Sequence, residues 1–544
     1  MSSSSQIRVL FQPQHLEVRV PAGTTLLEAA RKAGIELTAP CGGLGTCGSC
    51  RVQPVEGALS PPSPGEIRLL GKAGIARGER LACRAELLGD ARVYLPPDSL
   101  SAPQRAQVDI LLEKGFEHGE GQEGLGVALD AGTTGLAAYL VDLASGKTLP
   151  ARGAPNPQVA LGEDVISRIR AAAGDPGAAG RLRESLVRGL AGLVEGLLRE
   201  TGKREEDLRR IALVGNPAMT HLFLGLPVDS LGTAPYAPAS TDPVEIPASA
   251  AGLPSGKDTV LRIPPAVAGF VGADHLAMIL ATGLHETPGT AAAMDIGTNT
   301  EVALAKDGRI WSCSTASGPA FEGARIRCGM RASPGAVEKV SLKKGVLAFS
   351  TIEGRPPLGI CGSGVLDALA ALVKEDFLVD SGRFKPKEDS RLGRGEGGLR
   401  FELVPPALTG HGEPIFLTRR DIQEIQVAKG AMRAGLDVLL EEAGVEEGEI
   451  ETFFLAGAFG TYLDLESARA VGMVPPLPPE RFRQVGNAAG AGARAILGDR
   501  AWKEILEIAE KIRYVELAGT ERFTEAFAER MLLPRVSTEN RLQP

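Results

Sequence analysis

Four cysteines near the N-terminus, Cys41, Cys47, Cys50 and, after 32 further residues, Cys83, have the number and spacing to converge on a pair of iron atoms. A 2Fe–2S cluster needs four thiolates, and three close cysteines with one distant one supply them. In PCGGLGTCGSCRV, residues 40–52, Gly42, Gly43, Gly45 and Gly48 permit positive φ and expose backbone N–H groups that can hydrogen-bond anionic sulfur. Five residues separate Cys41 from Cys47, one more than the plant-type spacing. A structural zinc site and disulfides are the competing readings. Zinc sites favour paired C-x2-C units, and Cys47 with Cys50 forms the single such unit here.

A second chemistry is written in three glycine-rich turns. In LGVALDAGTTGLAAYLVDL an apolar strand ends in Asp130, a tight turn runs through Gly132, Thr133 and Thr134, and a second strand departs. TAAAMDIGTNTEVALAKDGRIWSCS repeats the pattern 165 residues later with Asp295, Gly297, Thr298 and Asn299, and Asp307-Gly308 makes the next hairpin turn. Turn N–H groups and Thr hydroxyls can cradle phosphate oxygens while the carboxylate holds hydrated Mg2+ against them. Two such hairpins facing each other would clamp a triphosphate from both sides. The third turn is FFLAGAFGTYLDL, residues 453–465, where a strand runs into Gly457-Ala458-Phe459-Gly460 and small residues let the backbone approach a flat adenosine. VGNAAGAGARAIL, residues 485–497, follows as a strand end and a helix of tiny residues suited to close helix packing. Ordinary hairpins and a packed glycine strand without nucleotide are the alternative.

The elements that must position these residues can also be read. Ile7 to Val20 alternates in short β-prone runs, Thr24 to Gly34 is a helix with a Thr start and a Gly stop, and the cysteine loop follows. At 544 residues the chain exceeds a single core, and three or four domains are expected. From Leu95 to about Gly124, proline, glycine and charge surround one apolar stretch, Val108 to Leu112, which reads as a linker with a strand or short helix. The net charge of -8 comes without a basic stripe, which argues against nucleic acid. With no run of eighteen apolar residues and no leader-like start in MSSSSQ, no membrane association and a cytoplasmic location are expected. Cys313, Cys328 and Cys361 read as buried thiols, with Cys361 at a helix start where its pKa could fall. His221 and His275 lack any partner at metal-ligand spacing and read as structural.

The first segment resembles a β-grasp ferredoxin, nearer the adrenodoxin type than the chloroplast type in its cysteine spacing. The three turns, in their order, resemble the ATPase family of acetate and sugar kinases, Hsp70 and actin. This resemblance puts Asp130, Gly132, Thr133 and Thr134 in phosphate-1, Asp295, Gly297, Thr298 and Asn299 in phosphate-2, and Gly457 and Gly460 in the adenosine motif.

Nearly the whole chain is similar to the reductive activators of corrinoid proteins. The similarity adds NPQVALGEDVISRI, CSTASGPAFEGARIRCGMRASPGAV and RDIQEIQVAKGAMRAG to the domain order. It implies a ferredoxin at residues 5–94, a linker at 95–124, a first actin-like (RNase H-like) lobe at 125–287 and a second at 288–544. The implied fold is multidomain α/β and α+β. The implied activity is passage of an electron from an external donor, through the 2Fe–2S cluster, to return a corrinoid protein from Co(II) to Co(I) at the cost of ATP. Plant-type clusters sit near roughly -400 mV, and every ~100 mV uphill costs about 2.3 kcal/mol per electron, so a lower Co(II)/Co(I) couple needs ATP. A redox-gated chaperone-type ATPase, a small-molecule kinase and an activator of another low-potential metalloenzyme are the alternatives, and a homodimer is left open.

Several residues carry weaker expectations. Glu322 in GPAFEGA could position the water that attacks the γ-phosphate. Arg325, Arg327 and Arg331 could meet phosphate, an acidic partner or solvent, and partner docking is assigned around Ser314 to Gly329. Asp164 and Asn216 are expected to border the cleft, and the helix from Arg419 to Leu440 to be core, with Lys429 able to reach nucleotide.

Overall fold

The computed structural model describes residues 6–12, 16–33, 35, 37–39, 41, 43–96, 99, 123–162, 164–395, 398–410 and 412–534. Most of the expected linker, with Val108 to Leu112, lies outside the described residues.

The N-terminal elements are β1 (Gln6–Gln12), β2 (Leu16–Pro21), α1 (Leu26–Lys32), β3 (Arg51–Leu59), α2 (Pro64–Ala76), β4 (Arg80–Leu81) and β5 (Leu87–Tyr94). They form one five-stranded sheet, β2-β1-β5-β3-β4, in which β1 and β5 run parallel. Period-two alternation buries Ile7, Val9 and Phe11 against Leu26, Val52 and Val93. Helix α1 starts at Leu26, two residues after the expected Thr24. Thr25 is its cap, accepting from the Glu28 N–H at 3.2 Å while the Glu28 carboxylate accepts from the Thr25 N–H at 3.0 Å. The fully buried Glu66 of α2 pairs with Arg80 at 3.0 Å and accepts from the Leu81 N–H at 3.1 Å, pinning α2 to β4 just before Cys83.

The next elements are β6 (Leu125–Ala131), β7 (Gly135–Asp142), β8 (Thr148–Pro155), α3 (Val165–Gly174), α4 (Pro176–Thr201), β9 (Leu208–Val214), α5 (Pro217–Leu224), β10 (Val244–Pro247), β11 (Val260–Ile263) and α6 (Ala273–Thr282). Their sheet is ordered β10-β11-β9-β6-β7-β8, with β6, β7 and β8 antiparallel and β9 and β11 added in parallel.

The same plan returns with β12 (Thr290–Ile296), β13 (Thr300–Lys306) and β14 (Arg309–Thr315). The chain continues with β15 (Ala336–Lys343), β16 (Val346–Thr351), β17 (Gly359–Ile360), α7 (Gly362–Lys374), β18 (Leu392–Gly395), β19 (Gly398–Val404), β20 (Ile415–Thr418) and α8 (Arg419–Ala443). Then come β21 (Ile450–Ala456), α9 (Gly457–Tyr462), α10 (Leu465–Ala470), β22 (Phe482–Gly486), α11 (Ala488–Ala495), α12 (Asp499–Lys511), β23 (Ile512–Tyr514) and α13 (Glu521–Arg530). The second large sheet is β22-β21-β12-β13-β14-β23, so the echo between the two Asp-Gly-Thr turns is an echo of whole sheets.

Between the sheets lie α6 and α11, in one core with Ala128, Tyr139, Ala212, Ala293 and Ala303. The tiny residues of α11 have the expected reason: a side-chain carbon on Gly492 would stand 2.1 Å from the Ala277 carbonyl oxygen of α6. Helix α8 is core, as expected, burying Ile422, Ile425, Met432 and Leu436. Among the described residues no helix is long and apolar enough to cross a membrane.

Candidate functional site

The loop between α1 and β3 brings Cys41 Sγ within 3.3 Å of Cys47 Sγ, and the β4–β5 connection brings Cys83 Sγ within 3.4 Å of Cys50 Sγ. Two thiolates on one tetrahedral metal with ~2.3 Å bonds would stand about 3.7 Å apart, so two close pairs are the arrangement a two-metal centre requires. All seven cysteines are free thiols. Gly43, Gly45 and Gly48 have φ of 96°, 69° and 75°, the left-handed backbone that turns N–H groups inward. Backbone N–H groups of Thr46, Cys47 and Gly43 donate to Cys41. The hydrogen bond from Cys47, helped by these amides, holds the Cys41 thiol down to about 3, and the Cys83 thiol lowers Cys50 in the same way. Their partner thiols, Cys47 and Cys83, are correspondingly raised. Four converging sulfurs in an amide-lined loop fit an iron–sulfur cluster. Arg84 Nη2 donates to the Leu44 carbonyl and clamps this loop from the residue after Cys83.

The second constellation lies where the two large sheets face each other. Asp130 and Asp295 are the penultimate residues of β6 and β12, and the turns that follow meet: Thr134 Oγ1 is 3.1 Å from Thr298 Oγ1. The half-buried Glu322, on a short 3-10 turn after β14, accepts from Thr134 Oγ1 at 3.2 Å and, through its other oxygen, from Thr298 Oγ1. Glu322, read from sequence as a candidate, thus lies against a threonine of each turn. Gly132 is needed because a side chain there would come within 2.8 Å of the Gly135 carbonyl oxygen. Gly457, at φ 84°, places the α9 strand-to-helix corner against the Asp295 turn, since a carbon on it would stand 2.6 Å from the Ile296 oxygen and 2.8 Å from Asp295 Oδ1. Gly460 lies one turn into α9, and Phe459 beside it stacks on Phe321 at 4.7 Å.

Other residues in the cleft were not singled out by sequence as site residues. Asn156 Nδ2 donates to the Gly132 oxygen at 2.8 Å, Arg168 Nη2 to the Thr133 oxygen, and Asn216 Nδ2 to Thr133 Oγ1 at 3.0 Å. Of these, Asn216 was expected at the cleft. Asp164 instead caps α3, accepting from the Ser167 N–H at 2.6 Å. Asn487, the cap of α11, donates to Asp130 Oδ2 at 2.7 Å. Asp274 at the start of α6 and Glu301, opposite Asp295 in the β12–β13 register, complete a set of four carboxylates. Burial pushes Asp130 up to about 6 against the pull of the Asn487 hydrogen bond. Burial and then the Asp130 charge push Asp295 up to about 7. Burial followed by the charges of Asp295 and Asp130 does the same to Asp274, also about 7. Glu301 is raised well above its ordinary value by burial, then Asp274 and Asp295, although Ser314 Oγ donates to it at 3.0 Å. No basic side chain among the described residues pairs with any of the four. Concentrated, uncompensated oxygen charge of this kind fits a divalent cation.

Two expectations are corrected. Lys429 does not face the cleft: its Nζ donates to the Leu532 carbonyl beyond α13, because that chain end packs along α8. Cys361 caps α7, yet burial raises its thiol instead of lowering it. Burial likewise raises Cys313 and Cys328. His275 is held down to about 3 by burial and its Nε2 lies 2.9 Å from Ser312 Oγ, while His221 Nε2 accepts from the Ser240 N–H at 3.3 Å, so both are structural.

A ferredoxin-type cysteine domain joined to a two-lobed domain of the acetate kinase, sugar kinase, Hsp70 and actin kind defines the class. Comparisons with known proteins agree along the chain. Residues 9–88 match the 2Fe-2S iron-sulfur cluster binding domain, 125–287 the RACo middle region, and 290–542 the C-terminal domain of RACo, the ASKHA domain. Corrinoid activation enzyme RamQ of Eubacterium limosum is 33% identical over 411 residues, 74% of this chain and 69% of that protein. The [Co(II) methylated amine-specific corrinoid protein] reductase of Methanosarcina barkeri is 29% identical over 74% of this chain and 76% of its own. A solved structure titled reductive activator for corrinoid, iron-sulfur protein superposes with a TM-score of 0.69 at 31% identity, covering 97% of this chain and 98% of that one. The chain belongs to the family of reductive activators of corrinoid proteins.

Proposed function

We propose that the chain is an ATP-driven reductase that returns the cobalt of a corrinoid protein from Co(II) to Co(I). The observation that carries this reading is the union, over 97% of one chain, of a four-cysteine domain and a two-lobed domain in the arrangement of a solved corrinoid activator. In the balance, one electron enters from an external donor and leaves to Co(II), while ATP and water separately become ADP and phosphate.

A bound 2Fe–2S cluster supplies the one-electron couple. Cys41, Cys47, Cys50 and Cys83 hold it, and the loop amides offset its charge. In the cleft, the turns at Gly132 to Thr134 and Gly297 to Asn299 receive the phosphates through N–H and hydroxyl groups. Asp130 and Asp295 bring the negative charge that Mg2+ neutralises. Glu322, hydrogen-bonded to a threonine of each lobe, is aimed to orient the attacking water and accept its proton. Gly457 and Gly460 let the adenosine approach the backbone. Because both turns touch the same phosphates, nucleotide state sets lobe closure. A partner with different affinity for the two closures is thereby driven toward the reduced form.

The test uses the full chain reconstituted with iron and sulfide, titanium(III) citrate as reductant and a corrinoid protein poised as Co(II). Co(I) absorbance should grow with ATP and not without it. Equal Co(I) yield in the absence of ATP, or with Cys47→Ser, refutes the reading.

A further inference from the structure

After Glu322 the chain makes a loop whose neck is closed by backbone. A side-chain carbon on Gly323 would stand 2.3 Å from the Met330 carbonyl oxygen, and one on Gly329 2.1 Å from the Gly323 oxygen. Inside the loop, Ile326 is buried in the second-lobe core. The Arg327 N–H donates at 2.7 Å to the buried Asp421 of α8, whose other oxygen accepts from Thr418 N–H and Oγ1 at 2.8 and 2.7 Å. The loop is a fixed pedestal, and from it the exposed side chains of Arg325 and Arg327 project. The Arg327 guanidinium lies 5.9 Å from the centre of the Phe416 ring, and Arg400 lies 4.4 Å from the same ring.

Among the described residues neither Arg327 nor Arg400 has a carboxylate within ion-pair distance. Glu402, opposite Phe416 in the β19–β20 register, stays beyond that limit. Arg325 meets only Glu424, at 3.9 Å between side chains that are 63% and 24% exposed, a geometry of little worth. Two like charges on one ring, without a counter-ion among the described residues, stand out in a chain of net charge -8. The ring's negative face attracts both guanidiniums, Arg400 at 4.4 Å more strongly than Arg327 at 5.9 Å, and gathers their charge at one place on the surface.

We propose that Arg325, Arg327 and Arg400, laid around Phe416, are the docking surface for a carboxylate-bearing face of the corrinoid protein. The proposal rests on the preceding functional reading and names the partner surface of that activity. Planar guanidiniums pair bidentately with carboxylates, and such charge complementarity sets encounter rate and orientation. The position also links docking to nucleotide. Glu322 touches both phosphate-turn threonines, and the pedestal begins at the very next residue. Nucleotide contacts and the docking surface therefore share one short stretch of chain, anchored to α8 through Asp421.

The experiment uses the full, cluster-loaded chain and its variants R327E/R400E, the milder R327Q/R400Q, and R327K. Two probes are taken, a corrinoid iron–sulfur protein and a methylated amine-specific corrinoid protein, both as Co(II). Basal ATPase and cluster absorbance should match the wild type in all variants. The corrinoid concentration for half-maximal ATPase stimulation should rise at least tenfold in R327E/R400E and less in R327Q/R400Q. Its dependence on NaCl should flatten, and R327K should keep the salt dependence while losing part of the affinity. Wild-type stimulation and salt dependence in both double variants overturn the surface but leave the reductase reading standing. Impaired pyrophosphate competition at unchanged protein affinity would make the patch a phosphate site and equally overturn it. A wild-type chain that neither reduces nor responds to either probe overturns both proposals.

Discussion

Asp295→Asn should make the metal-free protein more stable while abolishing its ATPase. Asp295 accepts no side-chain hydrogen bond among the described residues, so the amide loses no partner. What it removes is a charge that burial and Asp130 disfavour, moving the carboxyl from 3.8 up to about 7. The sign follows from linkage. A group whose folded pKa is raised contributes stability below its unfolded value and loses it as pH rises through the folded one. The native state therefore carries a penalty of about 2 kcal/mol at pH 5 that grows to about 4 kcal/mol at pH 8, if the whole shift is expressed. Substitution should return most of it at pH 8 and less at pH 5. The chain's two tryptophans, Trp311 in β14 and Trp502 in α12, both lie in the two-lobed part, so urea unfolding followed by their fluorescence reports on it without the ferredoxin. The measurement is made with EDTA at both pH values. A variant less stable than wild type at pH 8, or a gain equal at the two pH values, would refute the account of the carboxylate set. Mg2+ with ATP should then stabilise the wild type and leave the variant nearly unchanged.

Cys47→Ser should remove the 2Fe–2S absorbance and leave ATP binding intact, read by titration with a fluorescent ATP analogue; lost nucleotide binding would mean the two parts form one unit. Gly492→Ala must push α11 away from the Ala277 oxygen that its new carbon would meet at 2.1 Å, at a cost of about 1–3 kcal/mol, seen as a lower melting temperature. Glu66→Gln leaves Arg80 buried without its charge partner and should destabilise the ferredoxin by on the order of 3 kcal/mol, measured as earlier bleaching of the cluster on heating. Cutting the chain within residues 95–124 should spare basal ATPase and cluster reduction while Co(I) formation at low concentration falls steeply, because effective concentration is lost. Full Co(I) formation from dilute pieces would dismiss the tether.

Contiguous chemistry was the legible part. The cysteine loop, the two Asp-x-Gly-Thr turns and the Gly457–Gly460 corner each lie within one short stretch, where the residues that shape a turn are neighbours in sequence. Glu322 was readable as a carboxylate in a glycine-rich stretch, but only the meeting of two lobes reveals that it touches Thr134 and Thr298. Asn156, Arg168, Asp274 and Asn487 reach the cleft from distant helices and loops, and each is an ordinary cap or core residue by its local sequence. Glu301 did carry a signal: counting outward from the phosphate-2 turn pairs it with Asp295 across the hairpin. Lys429 was misread because a cation on a buried helix has no sequence mark for the carbonyl it will find, here that of Leu532.

The repetition of the two sheets has a consequence for polarity. Each half ends a parallel strand in a helix that points its N-terminus at the opposite half's aspartate. From β22 into α11, the residue delivered is Asn487, which donates a hydrogen bond to Asp130. From β11 into α6, the residue delivered is Asp274, which repels Asp295. One aspartate is thus given a donor and its twin a rival. A duplicated clamp would otherwise grip a polyphosphate equally well in either direction. On the proposed reading, an amide at the cap of one helix and an acid in the first turn of the other would give the cleft a head and a tail, and would draw Mg2+ toward the Asp274–Asp295 side.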